Sequence, residues 1–150
     1  MTDQMARATR FRALHERARP FLIPNPWDAG TARLLADLGF EAIATTSLGL
    51  ANMLGRVRAT RQEVLDNCRA ISEATPLPVS ADLENGFADQ PAEAARMIEL
   101  ACECGAVGQF RVEVAEPPAS AAWLRRGCRR LRLELGVDRW REERRRRTGR

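Results

Sequence analysis

Between residues 21 and 108, short apolar runs alternate with longer helical patterns, and that alternation constrains the fold more than any other feature. The runs cover residues 21–23 between two prolines, 41–47, 78–82 and 106–108. Between them lie three segments with helix punctuation. Asp28 stands where a cap would open a helix over 29–38, which Gly39 would end. Thr60 and Glu63 have capping-box spacing ahead of an apolar face of Val64, Leu65, Cys68 and Ile71. Asp89 and Pro91 suit a third start, running through Met97, Ile98 and Leu100 to Gly105. Strands alternating with helices in this way make a parallel sheet in an α/β fold. A leading amphipathic helix is expected over 3–17, with Met5, Phe11 and Leu14 set among arginines, as a lid over the bottom of the sheet. Residues 48–59, which include Gly49 and Gly55, read as a looser connection.

The run at 78–82 stops at two acids, Asp82 and Glu84, and then Asn85-Gly86, which is turn chemistry. Carboxyl ends of parallel strands are where α/β folds place their sites. The strand is expected to end in both acids, and because alternate residues face the same way, Asp82 and Glu84 would share one face, about 6–7 Å apart. Two hard oxygen ligands so placed suit one Mg²⁺, held directly or through water. A polar strand end facing solvent accounts for a bare Asp-x-Glu equally well. The two preceding strand ends are polar too, carrying Asn25 and Asp28, then Thr45, Thr46 and Ser47. Each group alone reads as a cap or a turn, but three at one end of successive strands favour a pocket.

Composition narrows the class. Hydrophobic residues make up 45% of the 150, enough for one domain with a core. No run is long enough to span a membrane, and the first residues lack the apolar stretch of a signal peptide, so a cytoplasmic location is the expectation. Cys68, Cys102, Cys104 and Cys128 are irregularly spaced and His15 is the only histidine, which argues for incidental thiols over a disulfide framework or a zinc site. The net charge of +4 is unevenly spread, and lysine is absent. Residues 1–108 carry 11 arginines against 14 acids, and residues 109–150 carry 13 against 6. Past residue 115 no apolar strand appears, and Leu124, Leu131 and Leu135 offer at most a ragged helical stripe.

Several blocks resemble the amino-terminal half of the phosphoenolpyruvate mutase/isocitrate lyase superfamily, in particular its smaller phosphoenolpyruvate-mutase-like members. They are Phe11-Arg-Ala-Leu-His15, Ile23-Pro-Asn-Pro-Trp-Asp-Ala-Gly30, Ala32-Arg-Leu-Leu35, Gly39-Phe-Glu-Ala42, Ala44-Thr-Thr-Ser47, Thr60-Arg-Gln-Glu-Val64, Pro78-Val-Ser-Ala-Asp-Leu-Glu-Asn-Gly86 and Ala106-Val-Gly108. The resemblance implies a partial (β/α)8 TIM barrel, about the first four βα units, over residues 1–108. Residues 109–150 would follow as a divergent, irregular or helical Arg-rich tail. It also implies Mg²⁺ at the barrel mouth and chemistry through an enolate-like oxyanion of a small 2-oxo or 2-hydroxy acid, as in carbon–carbon lyases, oxaloacetate decarboxylases or hydrolases, and phosphonomutases. By position, Asp82 and Glu84 match the metal carboxylates. Thr46, Ser47 and Leu48 match the segment that holds the substrate carboxylate, while Asn25, Trp27 and Asp28 match a pocket-shaping loop.

Two departures bear on activity. Many relatives carry an Asp-Gly pair soon after the counterpart of Leu54-Gly-Arg56, and its acid helps order the metal's water. Here Val57-Arg58-Ala59 leads straight to Thr60. Nor does anything after Gly108 match the family's next acidic strand end or its gating loop, so no catalytic acid or base is assigned and weak or no turnover is expected. The tail's composition suggests out-of-frame translation, which reading the coding DNA in the other frames would check. The alternative is a non-catalytic fragment whose basic tail, with Trp123 and Trp140, binds nucleic acid or another acidic partner. No nucleic-acid motif supports it, and Glu142 and Glu143 interrupt the arginines, so a solvated tail is preferred. A homo-oligomer is compatible with the open edges a partial barrel would leave.

Overall fold

The computed structural model describes residues 3–110, and the expectations placed on the tail beyond Phe110 lie outside the described residues. The elements are α1 (Asp3–Glu16), α2 (Ala29–Asp37), β1 (Ile43–Ala44), α3 (Ser47–Met53), α4 (Arg61–Ala74), β2 (Val79–Asp82), α5 (Pro91–Glu103) and β3 (Gly108–Phe110). The three strands form one parallel sheet in the order β1-β2-β3, with Ile43 opposite Val79 and Ser80 opposite Gly108. An α/β fold with a parallel sheet is therefore present. Among the described residues, no helix is long and apolar enough to cross a membrane.

Cross-strand neighbours share a face, and the two faces of this sheet carry different partners. Ile43 and Val79 join Ala32, Ile71 and Leu77 in a buried cluster between the sheet and helices α2 and α4. Ala81 and Leu83 belong to a second cluster with Leu65 and Cys68 of α4 and Met97 and Ala101 of α5. The opposite face presents the small residues Ala44, Ser80 and Gly108 in one row. Phe11 of α1 lies over the end of that row: a Cβ built on Gly108 would stand 2.5 Å from its ring. Ala8, Phe11 and Leu14 are buried with Ala42 and Val107, the residues that lead into β1 and β3. Gln4 reinforces the seat, donating from Nε2 to the carbonyls of Cys102 at 2.7 Å and Ala106 at 3.0 Å. Helix α1 thus lies across the amino ends of the strands, while Met5, expected on its apolar face, is exposed.

Local signals account for most helix starts. Asp28 accepts from the Thr31 N–H at 2.7 Å, and the Thr31 hydroxyl accepts from the Asp28 N–H in return. Thr60 and Glu63 form the box expected of them. The bonds from the Thr31 backbone and hydroxyl hold the Asp28 carboxyl below the usual carboxylate range. A depressed value means that this contribution is present above about pH 4 and is lost as pH falls through the lowered value. Asp28→Ala should therefore cost about 1 kcal/mol at neutral pH. The gap from the parent should narrow in acid, as urea titrations at pH 7 and pH 3 would show. Burial pushes the Cys68 thiol up to about 12, with Cys104 adding to the effect, as fits a packing residue.

Four expectations need correction. Residues 21–23 form no strand: prolines at 20, 24 and 26 thin out the backbone donors, and the Ala44 N–H to Pro24 carbonyl bond at 3.1 Å is what joins this segment to β1. The run at 41–47 is strand only over two residues, because Thr46 turns the chain and caps α3 by accepting from the Gly49 N–H. Residues 48–53, the first part of the segment expected to be loose, belong to that helix. The cap of α5 is Gln90, not Asp89, and its side chain makes no capping bond.

Candidate functional site

The carboxyl ends of β1 and β2 meet through side chains. Thr45, the residue after β1, donates its N–H to the Ser80 carbonyl at 2.9 Å, and its hydroxyl accepts from the Asp82 N–H at 2.8 Å. Asp82, the last residue of β2, accepts at Oδ2 from both the N–H and the hydroxyl of Ser47, each at 2.9 Å. Its Oδ1 accepts from the Glu84 N–H at 3.2 Å. An ionised carboxylate offers about four acceptor positions. Three are used here, so Asp82 is locked in orientation with roughly one position to spare.

Asp82 and Glu84 do not share a strand face as the alternation predicted. The strand ends at Asp82, and the Gly86 N–H returns to the Leu83 carbonyl at 2.7 Å, so the turn begins one residue earlier than Asn85-Gly86 implied. Glu84 lies inside that turn with φ 47°. A side chain in this left-handed region costs about 1–2 kcal/mol. Glu84→Gly should therefore be about 1 kcal/mol more stable than Glu84→Ala, although both remove the carboxylate, and equilibrium urea unfolding of the pair would measure the difference. The Glu84 carboxylate faces Arg58, whose Nη2 donates to Oε2 at 3.0 Å.

The other expected residues take distinct positions. Thr46 spends its hydroxyl oxygen on capping α3. The Leu48 side chain is exposed. Asn25 donates from Nδ2 to the Ala44 carbonyl at 2.9 Å, which pins the loop after residue 24 to the end of β1. Trp27 packs on α3, where a Cβ on Gly49 would stand 2.8 Å from its indole. Asp28 is committed to the start of α2. The structure thus brings Ser47, Asp82 and Glu84 into one bonded chain, places Thr46, Asn25 and Trp27 beside the elements that carry it, and assigns Asp28 to capping.

Sequence reasoning missed the Ser47–Asp82 bonds and the Arg58–Glu84 pair. The signal for the second was the basic residue in Val57-Arg58-Ala59, where relatives were expected to carry an acid. Among the described residues, no group of three or more carboxylates, histidines or cysteines could hold a metal ion together. The donors at hand are two carboxylates and hydroxyls, all hard oxygens. Mg²⁺ keeps several waters and binds through one or two carboxylates, so the donor set suits a largely hydrated ion.

Comparison with known proteins gives the family. Residues 11–113 match the family described as phosphoenolpyruvate phosphomutase. The chain belongs to that family. A lyase/mutase structure from Burkholderia cenocepacia J2315 superposes with a TM-score of 0.71 at 55% identity, covering 73% of this chain and 40% of that one. An oxaloacetate acetylhydrolase bound to 3,3-difluorooxalacetate gives 0.63 at 28% identity, over 68% of this chain and 36% of that one. Among curated relatives, 2,3-dimethylmalate lyase of Eubacterium barkeri is 34% identical over 87 residues, 55% of this chain and 30% of the relative. An uncharacterised Mycobacterium tuberculosis protein is 36% identical over 83 residues, 54% of this chain and 32% of its own length. The chain thus spans about a third of the curated relatives that it matches. Lyases and phosphomutases populate this phosphoenolpyruvate phosphomutase family and its structural neighbours.

Proposed function

We propose that the carboxyl ends of β1 and β2 form part of a Mg²⁺-dependent site for small 2-oxo or 2-hydroxy acids, of the lyase or phosphomutase type, within a partial (β/α)8 barrel. The observation that carries this reading is the Ser47–Asp82 pairing, which joins two strand ends around one oriented carboxylate. When bound, Mg²⁺ supplies positive charge against the negative charge that develops on a substrate oxygen, usually a large contribution in such reactions. Asp82 and Glu84 would hold the ion. Ser47 orients Asp82 with two donors, so little reorganisation is needed when a cation arrives. The segment Thr46, Ser47 and Leu48 would receive the substrate carboxylate. The Ser47 N–H and hydroxyl are both already given to Asp82, so the neighbouring backbone N–H groups are left for that role. Asn25 and Trp27 shape the adjoining wall.

Catalytic acid and base groups remain unassigned, and each such group is worth about 10²-fold or more in rate. Weak or no turnover is therefore expected alongside measurable ion binding. The test is an assay of oxaloacetate, 2-methylisocitrate-type and phosphoenolpyruvate substrates with and without Mg²⁺, run beside a Mn²⁺ titration followed by electron paramagnetic resonance. Binding without appreciable turnover is the expected result. Failure to bind either ion at millimolar concentration would overturn the site. Brisk Mg²⁺-dependent turnover that Asp82→Ala abolishes would overturn the expectation of weak activity.

A further inference from the structure

We infer that Arg58 is a built-in competitor for the cation at Glu84, so that an ion engages Glu84 only when the guanidinium leaves it. This inference rests on the metal reading of Asp82 and Glu84. Its basis is the placement of Arg58 on a short connection anchored at both ends. On one side, Leu54 closes α3, the Gly55 N–H bonds the Asn52 carbonyl at 3.0 Å, and the Arg56 N–H bonds that of Ala51 at 2.8 Å. On the other, Thr60 opens α4 through its capping box, and Arg56 pairs with Glu63 across the gap. Arg58 is carried between these anchors to within 3.0 Å of the Glu84 carboxylate. Glu84 is in turn held in its left-handed turn, with its N–H on Asp82. The chain on either side of Arg58 is therefore held, and Glu84 is held by its own backbone N–H.

The contact is also reversible. The Arg58 side chain is 74% exposed and that of Glu84 31%, which puts the pair in the weak, solvent-screened class. An incoming dication must displace the guanidinium and then tolerate a positive charge a few ångströms away. Together these effects amount to about tenfold in affinity. They also make binding shallower in its dependence on ionic strength than two carboxylates alone would give, because salt loosens the competing pair while it weakens the site.

The experiment is a Mn²⁺ titration of the full chain, read by electron paramagnetic resonance, for the parent, Arg58→Gln, Arg58→Lys and Asp82→Asn. Arg58→Gln is expected to bind about tenfold more tightly than the parent, and Arg58→Lys to stay within about twofold because it keeps the charge. Asp82→Asn is expected to bind far more weakly, which shows that the titrated ion is the one at this site. Thermal unfolding without metal should move little between the parent and Arg58→Gln, as befits an exposed pair. Equal affinity in the parent and Arg58→Gln overturns the competition while leaving the metal reading intact. So does equal tightening in the Gln and Lys variants. If neither the parent nor Arg58→Gln binds Mn²⁺, the metal reading fails and the competition with it.

Discussion

Phe11→Ala is expected to lower the free energy of unfolding by about 3–5 kcal/mol, the usual cost of removing a buried aromatic ring. Phe11 is 5% exposed, packs with Ala8, Leu14, Ala42 and Val107, and lies in van der Waals contact over Gly108. The cavity would not collapse easily, because the facing row of Ala44, Ser80 and Gly108 has no long side chain to swing into it. A domain's whole stability is about 5–15 kcal/mol, so this one truncation should shift the urea midpoint visibly or leave the chain unfolded. The converse substitution, Gly108→Ala, puts a methyl where the ring already is and should also destabilise, by about 1–3 kcal/mol. Combining the two gives a sharper check. Because the alanine methyl fills part of the space left by the ring, Gly108→Ala should cost less in the Phe11→Ala background than alone. Simple additivity in urea unfolding would mean that ring and glycine do not share the space described.

Asp82→Asn carries the second large effect, a loss of at least about 100-fold in Mn²⁺ or Mg²⁺ affinity. Substitutions one shell further out commonly cost 10–100-fold, and Asp82 is proposed to touch the ion. The amide also has one acceptor oxygen where the carboxylate has two, and it brings an NH₂ toward donors that Ser47 and Glu84 already supply. A stability cost of about 1–3 kcal/mol should accompany the loss of binding. Ser47→Ala separates the two effects: the N–H bond to Asp82 survives, one hydroxyl bond goes, and affinity should fall by about tenfold. Calorimetric titration of the three proteins checks the order parent, Ser47→Ala, Asp82→Asn. If Asp82→Asn bound the ion as tightly as the parent, the Asp82 assignment could not stand.

What could be read along the chain was what neighbours in the chain decide. Thr60 with Glu63, and Asp28 ahead of α2, announce helices through bonds that span three residues, and both behave as their spacing predicted. The apolar face of α4 was legible because helical periodicity survives any tertiary arrangement. Helix α3 was hidden by Gly49, which looks like a breaker until the Trp27 indole is placed against it and the missing Cβ becomes a packing requirement. The segment at 21–23 has the apolar content of a strand, and only the neighbouring prolines decide that it does not pair as one. The site divides in the same way. Asp82 and Glu84 stood out as acids at a strand end, whereas the backbone turn that separates them depends on a hydrogen bond from Gly86 back to Leu83. Ser47 meets Asp82 across 35 positions and Arg58 meets Glu84 across 26. Pairing at that range follows from how strands are laid side by side, which no local pattern encodes.

The seat of α1 also sets a timetable. Its anchors, Gln4 on Cys102 and Ala106 and Phe11 over Gly108, lie about a hundred residues downstream, so α1 leaves the ribosome well before the seat it docks on. At roughly 5–20 residues per second, synthesis keeps Phe11 and Leu14 without their partners at 107 and 108 for about 5–20 s. During that interval an apolar stripe is open to chaperones and to sticking, and closing so long a loop slows the final step further. Moving α1 behind β3 by circular permutation would shorten the wait, and a higher soluble yield at unchanged equilibrium stability would show that the delay, more than the fold itself, limits production of the chain.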